Sequence, residues 1–137
     1  MAQSIVYLNF NGNCKEAMNF YKDCLGGQLT LQTIGDSPMA QYMTNEPKHK
    51  ILHSVLVNGN ATIMASDMVH GDKAINENGY SICLVCESET EINNVFDKLS
   101  EGGKVIEKIT TTPWGALFAM LTDKYGKNWM FNYTLQQ

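Results

Sequence analysis

Long apolar runs are missing from this 137-residue chain, and so are basic clusters and any cysteine pattern that would staple a fold. No stretch approaches the ~18 consecutive apolar residues of a membrane span. The N-terminus lacks the charged-then-apolar order of a secretion signal, so the chain is placed in the cytoplasm, away from any membrane. Ten Lys and Arg stand against 14 Asp and Glu, a net charge of −4, and no Lys/Arg cluster is longer than a pair. That excludes a nucleic-acid partner, because the phosphate attraction that dominates such binding needs a basic face.

Four cysteines are present, Cys14, Cys24, Cys83 and Cys86, and one C-x-x-C spacing among them invites a disulfide, redox or metal reading. Cys14 and Cys24 fall near opposite ends of one predicted helix, too far apart to bridge. Cys83 and Cys86 fall in a predicted strand, where residues three apart point to opposite faces and do not converge on one ion. The expectation is four ordinary thiols, mostly half-buried.

What is there is a repeat. "YLNFNGNCKEAMNFYKDCLGG" (7–27) returns more weakly as "CLVCESETEINNVFDKLSEGGK" (83–104), about 76 positions later. At that offset Leu8 falls on Leu84, Phe20 on Phe96, and Gly26–Gly27 on Gly102–Gly103. In the first half "SIVYLNFN" alternates as a strand, and Asn13 is placed to cap a helix with an apolar stripe of Cys14, Ala17, Met18, Tyr21 and Leu25. The glycine pair ends that helix and "QLTLQTIG" follows as a strand. Asp36 to Lys48, with Pro38 and Pro47, reads as a loop and a possible lid. "KILHSVLV" and "ATIMAS" then flank the hairpin signal "NGN".

In the second half "YSICLVC" is a strand, and Ser88 with Glu91 forms a capping box before the stripe Ile92, Val95, Phe96 and Leu99. After Gly102–Gly103 come strands at "KVIEKITT", "ALFAMLTD" and "NWMFNYTL", the last two joined through "KYGK". The fold class is therefore α+β, with two tandem βαβββ units over about 4–67 and 79–135 in one 137-residue domain. The polar stretch 68–79 links them.

Two such units, with "FY" ahead of "LGG" in the first helix and "DKYGKNW" at the last turn, resemble the vicinal oxygen chelate superfamily of glyoxalases, extradiol dioxygenases and bleomycin- and fosfomycin-resistance proteins. "YLNFNGNCKEAMNFY", "IMASD", "TPWG" and "DKYGKNWMFN" resemble its PhnB-like branch. The resemblance implies a cup-shaped mixed sheet with helices packed outside. In the enzymes, His and Glu from the first and last strand of each unit hold a divalent metal in the cup. Those slots fall here on Ile5, Ser81, Met130 and a residue among Ile63, Met64 and Ala65, none of them a ligand for such a metal, so neither a metal nor another cofactor is expected.

The implied function is binding of a small organic molecule in the cup, with turnover left open. Alternation turns Tyr7, Asn9, Ser81, Met130 and Asn132 inward beside His53 and Trp114, a mostly apolar lining with a few polar groups. His53 is the one histidine inside a strand and a candidate general base, since histidine ordinarily titrates near neutrality. Its bland alternative is a partly exposed strand residue. Asp67 is a second catalytic candidate, and its bland alternative is a turn cap. Trp114 supplies either a stacking face for the ligand or a core or dimer contact.

Two other functions stand beside this one. The first is a lyase or dioxygenase-type metalloenzyme with atypical ligands, His53, Asp67 and Glu46. The second is a resistance-type protein that sequesters a drug between subunits. Relatives in this branch also carry a demethylubiquinone methyltransferase label, but the chain has no glycine-rich strand-to-helix turn for a nucleotide-like methyl donor. Apolar residues make up 44% of so small a chain. Two open sheets then leave surface that a homodimer would cover.

Overall fold

The structure is a computed structural model that describes residues 5–67, 80–113 and 115–135. The linker expected over 68–79 and the side chain of Trp114 lie outside the described residues. The chain divides into two compact units, one ending at Ala74 and the other beginning at Ile75.

The first unit contains β1 (Val6–Asn9), α1 (Cys14–Leu25), β2 (Gln28–Thr33), β3 (Ile51–Asn58) and β4 (Ala61–Ser66). Its sheet has the order β1-β4-β3-β2, with β1 parallel to β4 and the other pairs antiparallel. The second unit contains β5 (Ile82–Val85), α2 (Glu89–Ser100), β6 (Lys104–Thr111), β7 (Ala116–Thr122) and β8 (Asn128–Thr134). Its order, β5-β8-β7-β6, repeats the first, again with one parallel pair. The α+β class and the two βαβββ units expected from the repeat are those observed. "NGN" makes a two-residue hairpin, Asn58 pairing Ala61 across Gly59 and Asn60.

Each helix lies on one face of its own sheet because its apolar stripe has nowhere else to go. In α1 the buried residues are Cys14, Ala17, Met18, Tyr21 and Cys24. Leu25, expected in the stripe, is only half-buried, and Cys24 takes the inward place at the last turn. Met18 and Tyr21 are fully enclosed. Burial of a side chain of this size stabilises by about 1.5–3 kcal/mol. Cys14 Sγ lies 3.6 Å from Ser54 Oγ on β3, which identifies the helix-bearing face of the sheet. In α2 the buried residues are Ile92, Phe96 and Leu99, and Phe96 meets Phe131 of β8 edge-on at 5.5 Å.

The helix starts differ. Ser88 caps α2 by accepting from the Glu91 amide, as the expected box requires, whereas the Glu91 carboxylate accepts from the amide of Glu87, one residue before the cap. Asn13 precedes α1 but makes no side-chain cap. Its place is taken by Asp67, just beyond β4, whose Oδ1 accepts from the amides of Gly12 and Cys14, both at 2.9 Å. The carboxylate's negative charge also suits the positive end of the helix dipole.

The segment 36–48 is more ordered than a plain loop. Pro38–Gln41 forms a 3-10 turn started by Ser37, and the Ile34 and Gly35 amides bond to the Lys50 and Lys48 carbonyls. Lys48 Nζ donates to the Ala40 carbonyl at 2.7 Å and Lys50 pairs with Glu46 at 3.4 Å.

The paired glycines mark a backbone-to-backbone approach. A Cβ on Gly27 would overlap the Val57 carbonyl oxygen, and one on Gly103 would overlap that of Thr122. Gly27 also has φ +96°, whereas Gly12, at the same φ, has open space where a Cβ would stand. Three alanine variants therefore separate conformation from sterics. Gly12→Ala should cost about 1–2 kcal/mol through conformation alone. Gly103→Ala should cost about 1–3 kcal/mol through overlap alone. Gly27→Ala combines both, so urea denaturation should place it below the other two in stability.

Candidate functional site

Strand alternation gives each sheet a helix-bearing face and an opposite face that its own helix leaves uncovered. In the first unit Val6, Leu8, Leu56, Ile63 and Ala65 line the helix side. Tyr7 and Asn9 lie on the other face, and Tyr7 is 48% exposed. Register extends that face across the sheet, Tyr7 beside Met64, Met64 beside Val55, and Val55 beside Thr30. The next row is polar, with Asn9 beside Ser66 and His53 beside Gln32. The Tyr7 and His53 rings stand 6.5 Å apart at a 31° tilt. Three expected site residues of this half, Tyr7, Asn9 and His53, thus share one face with Met64 of "IMASD", and with Gln32 and Val55 as neighbours that no motif marked. Cross-strand register, once β3 is known to lie between β2 and β4, is the signal that finds them.

The second unit repeats the construction. Cys83 pairs Met130 and Val85 pairs Asn132, with Met120 and Phe118 next in line on β7. Met130 and Asn132 therefore share the uncovered face, and Ser81, exposed just before β5, falls in phase with Cys83. The neighbouring row is satisfied internally, because Thr122 donates to Asn128 at 2.8 Å and Asn128 donates to the Tyr80 carbonyl.

Asp67 is 2% exposed, and its second oxygen accepts from the Ile51 amide at 2.9 Å. With three amide donors on its two oxygens, this carboxylate is occupied as a structural acceptor. A catalytic role would require breaking bonds that hold β1, α1, β3 and β4 together. Asp123 behaves alike in the second unit, accepting from the Tyr125 and Lys127 amides and from the Trp129 indole.

The metal slots test the donor set. Met64 pairs Tyr7 as Met130 pairs Cys83, so the repeat resolves the slot expected among Ile63–Ala65 to Met64. Ile5, Met64, Ser81 and Met130 offer two thioethers, one hydroxyl and a hydrocarbon, which do not fit a hard divalent ion. The alternative set of His53, Asp67 and Glu46 fares no better, with Asp67 bound to backbone and Glu46 paired with Lys50. Among the described residues no three His, Cys, Asp or Glu side chains are grouped to hold a metal.

Cys14, Cys24 and Cys86 are buried, more deeply than expected, and Cys83 alone of the four is exposed. Cys83 lies in β5 and is exposed, whereas Cys86, expected in the same strand, falls one residue beyond it and is buried. Burial pushes the Cys14 thiol up to about 11, opposed by the Ser54 contact and helped by the Asp67 charge. Burial, with the Glu91 and Cys83 charges adding to it, pushes Cys86 up to about 11 as well. An unfolded thiol ionises near 8.5. The fold therefore keeps these two protonated where the unfolded chain has released the proton. Their contribution is complete below about pH 8.5 and is lost as pH rises through about 11. Denaturation measured across pH 8–11 should show falling stability, and a Cys14→Ala/Cys86→Ala pair should flatten that fall. At pH 7.5 a maleimide should label Cys83 first, read by peptide mass spectrometry.

Known proteins share the sequence and the fold. Residues 5–131 match the Glyoxalase/Bleomycin resistance protein/Dioxygenase superfamily. The chain is 31% identical over 140 residues to protein YjdN of Escherichia coli K12, covering 96% of this chain and 95% of that protein. Protein PA1353 from Pseudomonas aeruginosa shares 39% identity at TM-score 0.84, covering 99% of this chain and 100% of that one. A PhnB protein from Bacillus cereus, described as a putative 3-demethylubiquinone-9 3-methyltransferase, shares 25% identity at TM-score 0.77, covering 97% of this chain and 100% of its own. The chain belongs to the glyoxalase, bleomycin-resistance and dioxygenase superfamily, in its PhnB-like branch.

Proposed function

We propose that this chain binds a small organic molecule against an uncovered sheet face, without the metal centre of the superfamily's enzymes. The observation that carries the reading is the Tyr7–His53 ring pair, set where an apolar row meets a polar one. Tyr7, Met64 and Val55 offer a flat apolar seat. Asn9, His53 and Gln32 offer hydrogen-bonding groups along one side of it. Mostly apolar walls with a few placed polar groups are the usual makeup of such sites. Ser81, Met130 and Asn132 extend the reading to the second unit, and Trp114 remains a candidate stacking group. A homodimer in the cytoplasm is part of the same proposal, since the apolar seats are surfaces a second copy would help to shield.

Methyl transfer, suggested by the description of the Bacillus cereus relative, finds little support. The first strand-to-helix turn has a single glycine at its bend, Gly12, and the start of α1 is already occupied by the Asp67 carboxylate. A donor's anionic group would meet a like charge there.

Native mass spectrometry of freshly purified protein, followed by a thermal-shift screen of small aromatic and carboxylated compounds, tests the proposal. For a compound that stabilises the fold, Tyr7→Ala should weaken binding by about 1–3 kcal/mol, the scale of losing one anchoring aromatic. His53→Phe keeps a ring beside Tyr7 but removes the polar edge, so it should weaken compounds bearing a hydrogen-bonding group and spare purely apolar ones. Binding that ignores both changes would place the ligand elsewhere and overturn the assignment.

A further inference from the structure

The second unit carries a row of three sulfur-bearing residues, of which the small-molecule reading uses only Met130. Cys83 on β5 pairs in register with Met130 on β8, and Met130 pairs with Met120 on β7. Residues in one cross-strand row share a face, and neighbouring strands lie about 4.8 Å apart. A thiol and two thioethers therefore stand side by side, on the face that α2 does not cover. Each methionine has three rotatable side-chain bonds, which allows the outer thioether to lean toward the middle of the row. The row continues to Glu107 on β6, whose exposed carboxylate stands in register with Met120.

We infer that Cys83, Met130 and Met120 form a site for a soft monovalent d10 cation, the class of Cu(I) and Ag(I). Thiolate and thioether sulfur select such ions over Mg(II), Ca(II) or Mn(II), which prefer oxygen. Cys83 is the accessible thiol, while Cys14 and Cys24, on the buried face of α1, and Cys86 are enclosed. On binding, the Cys83 thiol forms one sulfur–metal bond and releases its proton to solvent, so one thiolate balances the single positive charge. The two thioethers complete the coordination without adding charge. No electron is transferred and no co-reactant is needed.

The repeat supplies an internal control. The matching row of the first unit is Tyr7, Met64 and Val55, with one sulfur and no thiol. It has the same backbone geometry and lacks the chemistry.

Ag(I) is the probe, because it needs no reductant to stay monovalent. The full chain is titrated with Ag(I) in competition with a soluble thioether chelator, and stoichiometry is read by native mass spectrometry. One tightly held Ag(I) per chain is expected. Cys83→Ser should abolish it, and Met130→Leu, near in volume to the original side chain, should weaken it by about tenfold or more. Met64→Leu and Cys86→Ser should leave it unchanged. If Met130→Leu and Met120→Leu both bind as tightly as the parent, the thiol acts alone and the site is refuted. Loss of binding in Cys86→Ser, with retention in Cys83→Ser, would refute it equally. Thermal melting of each variant confirms that lost binding is not lost fold.

Discussion

A single buried carboxylate holds the first unit in shape. Asp67 takes amide hydrogens from Gly12 and Cys14 at the start of α1 and from Ile51 at the start of β3. It thereby joins the turn after β1, the first residue of the helix and the two central strands at one point. A charged acceptor with three donors is among the stronger hydrogen-bonding arrangements a small domain can bury, and removing one side of it leaves costly orphans. The angle at which α1 leaves β1 depends on it. The face left uncovered is set by the strands' own alternation, which turns Leu8, Leu56, Ile63 and Ala65 toward the helix and Tyr7 to the other side.

Much of this was readable beforehand, because repetition and alternation are local signals. The offset of 76 aligned Leu8 with Leu84 and the two glycine pairs. Period-two burial then sent Tyr7, Asn9 and Cys83 to one side of their strands. What sequence could not supply was partnership over distance. Asn13 stands where a cap belongs, but the acceptor that serves the helix comes from Asp67, more than 50 positions along, and no spacing rule connects them. Met64 and Met130 became equivalent only once each was seen opposite the same position of the repeat. Segment 36–48 contains two prolines and few apolar residues, which explains why its hydrogen-bonded closure left no periodic trace.

The uncovered faces show how a fold can be kept while its chemistry changes. At the positions where the family resemblance implies carboxylate and imidazole, this chain has the thioethers of Met64 and Met130, the Ser81 hydroxyl and the Ile5 hydrocarbon. Thioethers are neutral and polarisable, so they leave the sheet intact without requiring a counter-charge. The polar groups that remain are displaced to the adjoining row, Asn9, Ser66, His53 and Gln32. An apolar strip bordered by hydrogen-bonding groups follows directly from that substitution pattern.

The parallel pairing that closes each sheet also has a kinetic side. β1 must find β4 across a separation of 57 positions, from Val6 to Ile63 (63 − 6), whereas β3 and β4 meet through a two-residue turn. Loop closure makes the hairpin the quick step and the arrival of the first strand the slow one. In the second unit β5 waits likewise for β8, from Ile82 to Trp129, a separation of 47 (129 − 82). During synthesis the earliest segment of each unit therefore stays unpaired until the latest has emerged. A nascent chain halted before Ala61 would leave β1 without β4, the strand it pairs with, and available to any other strand.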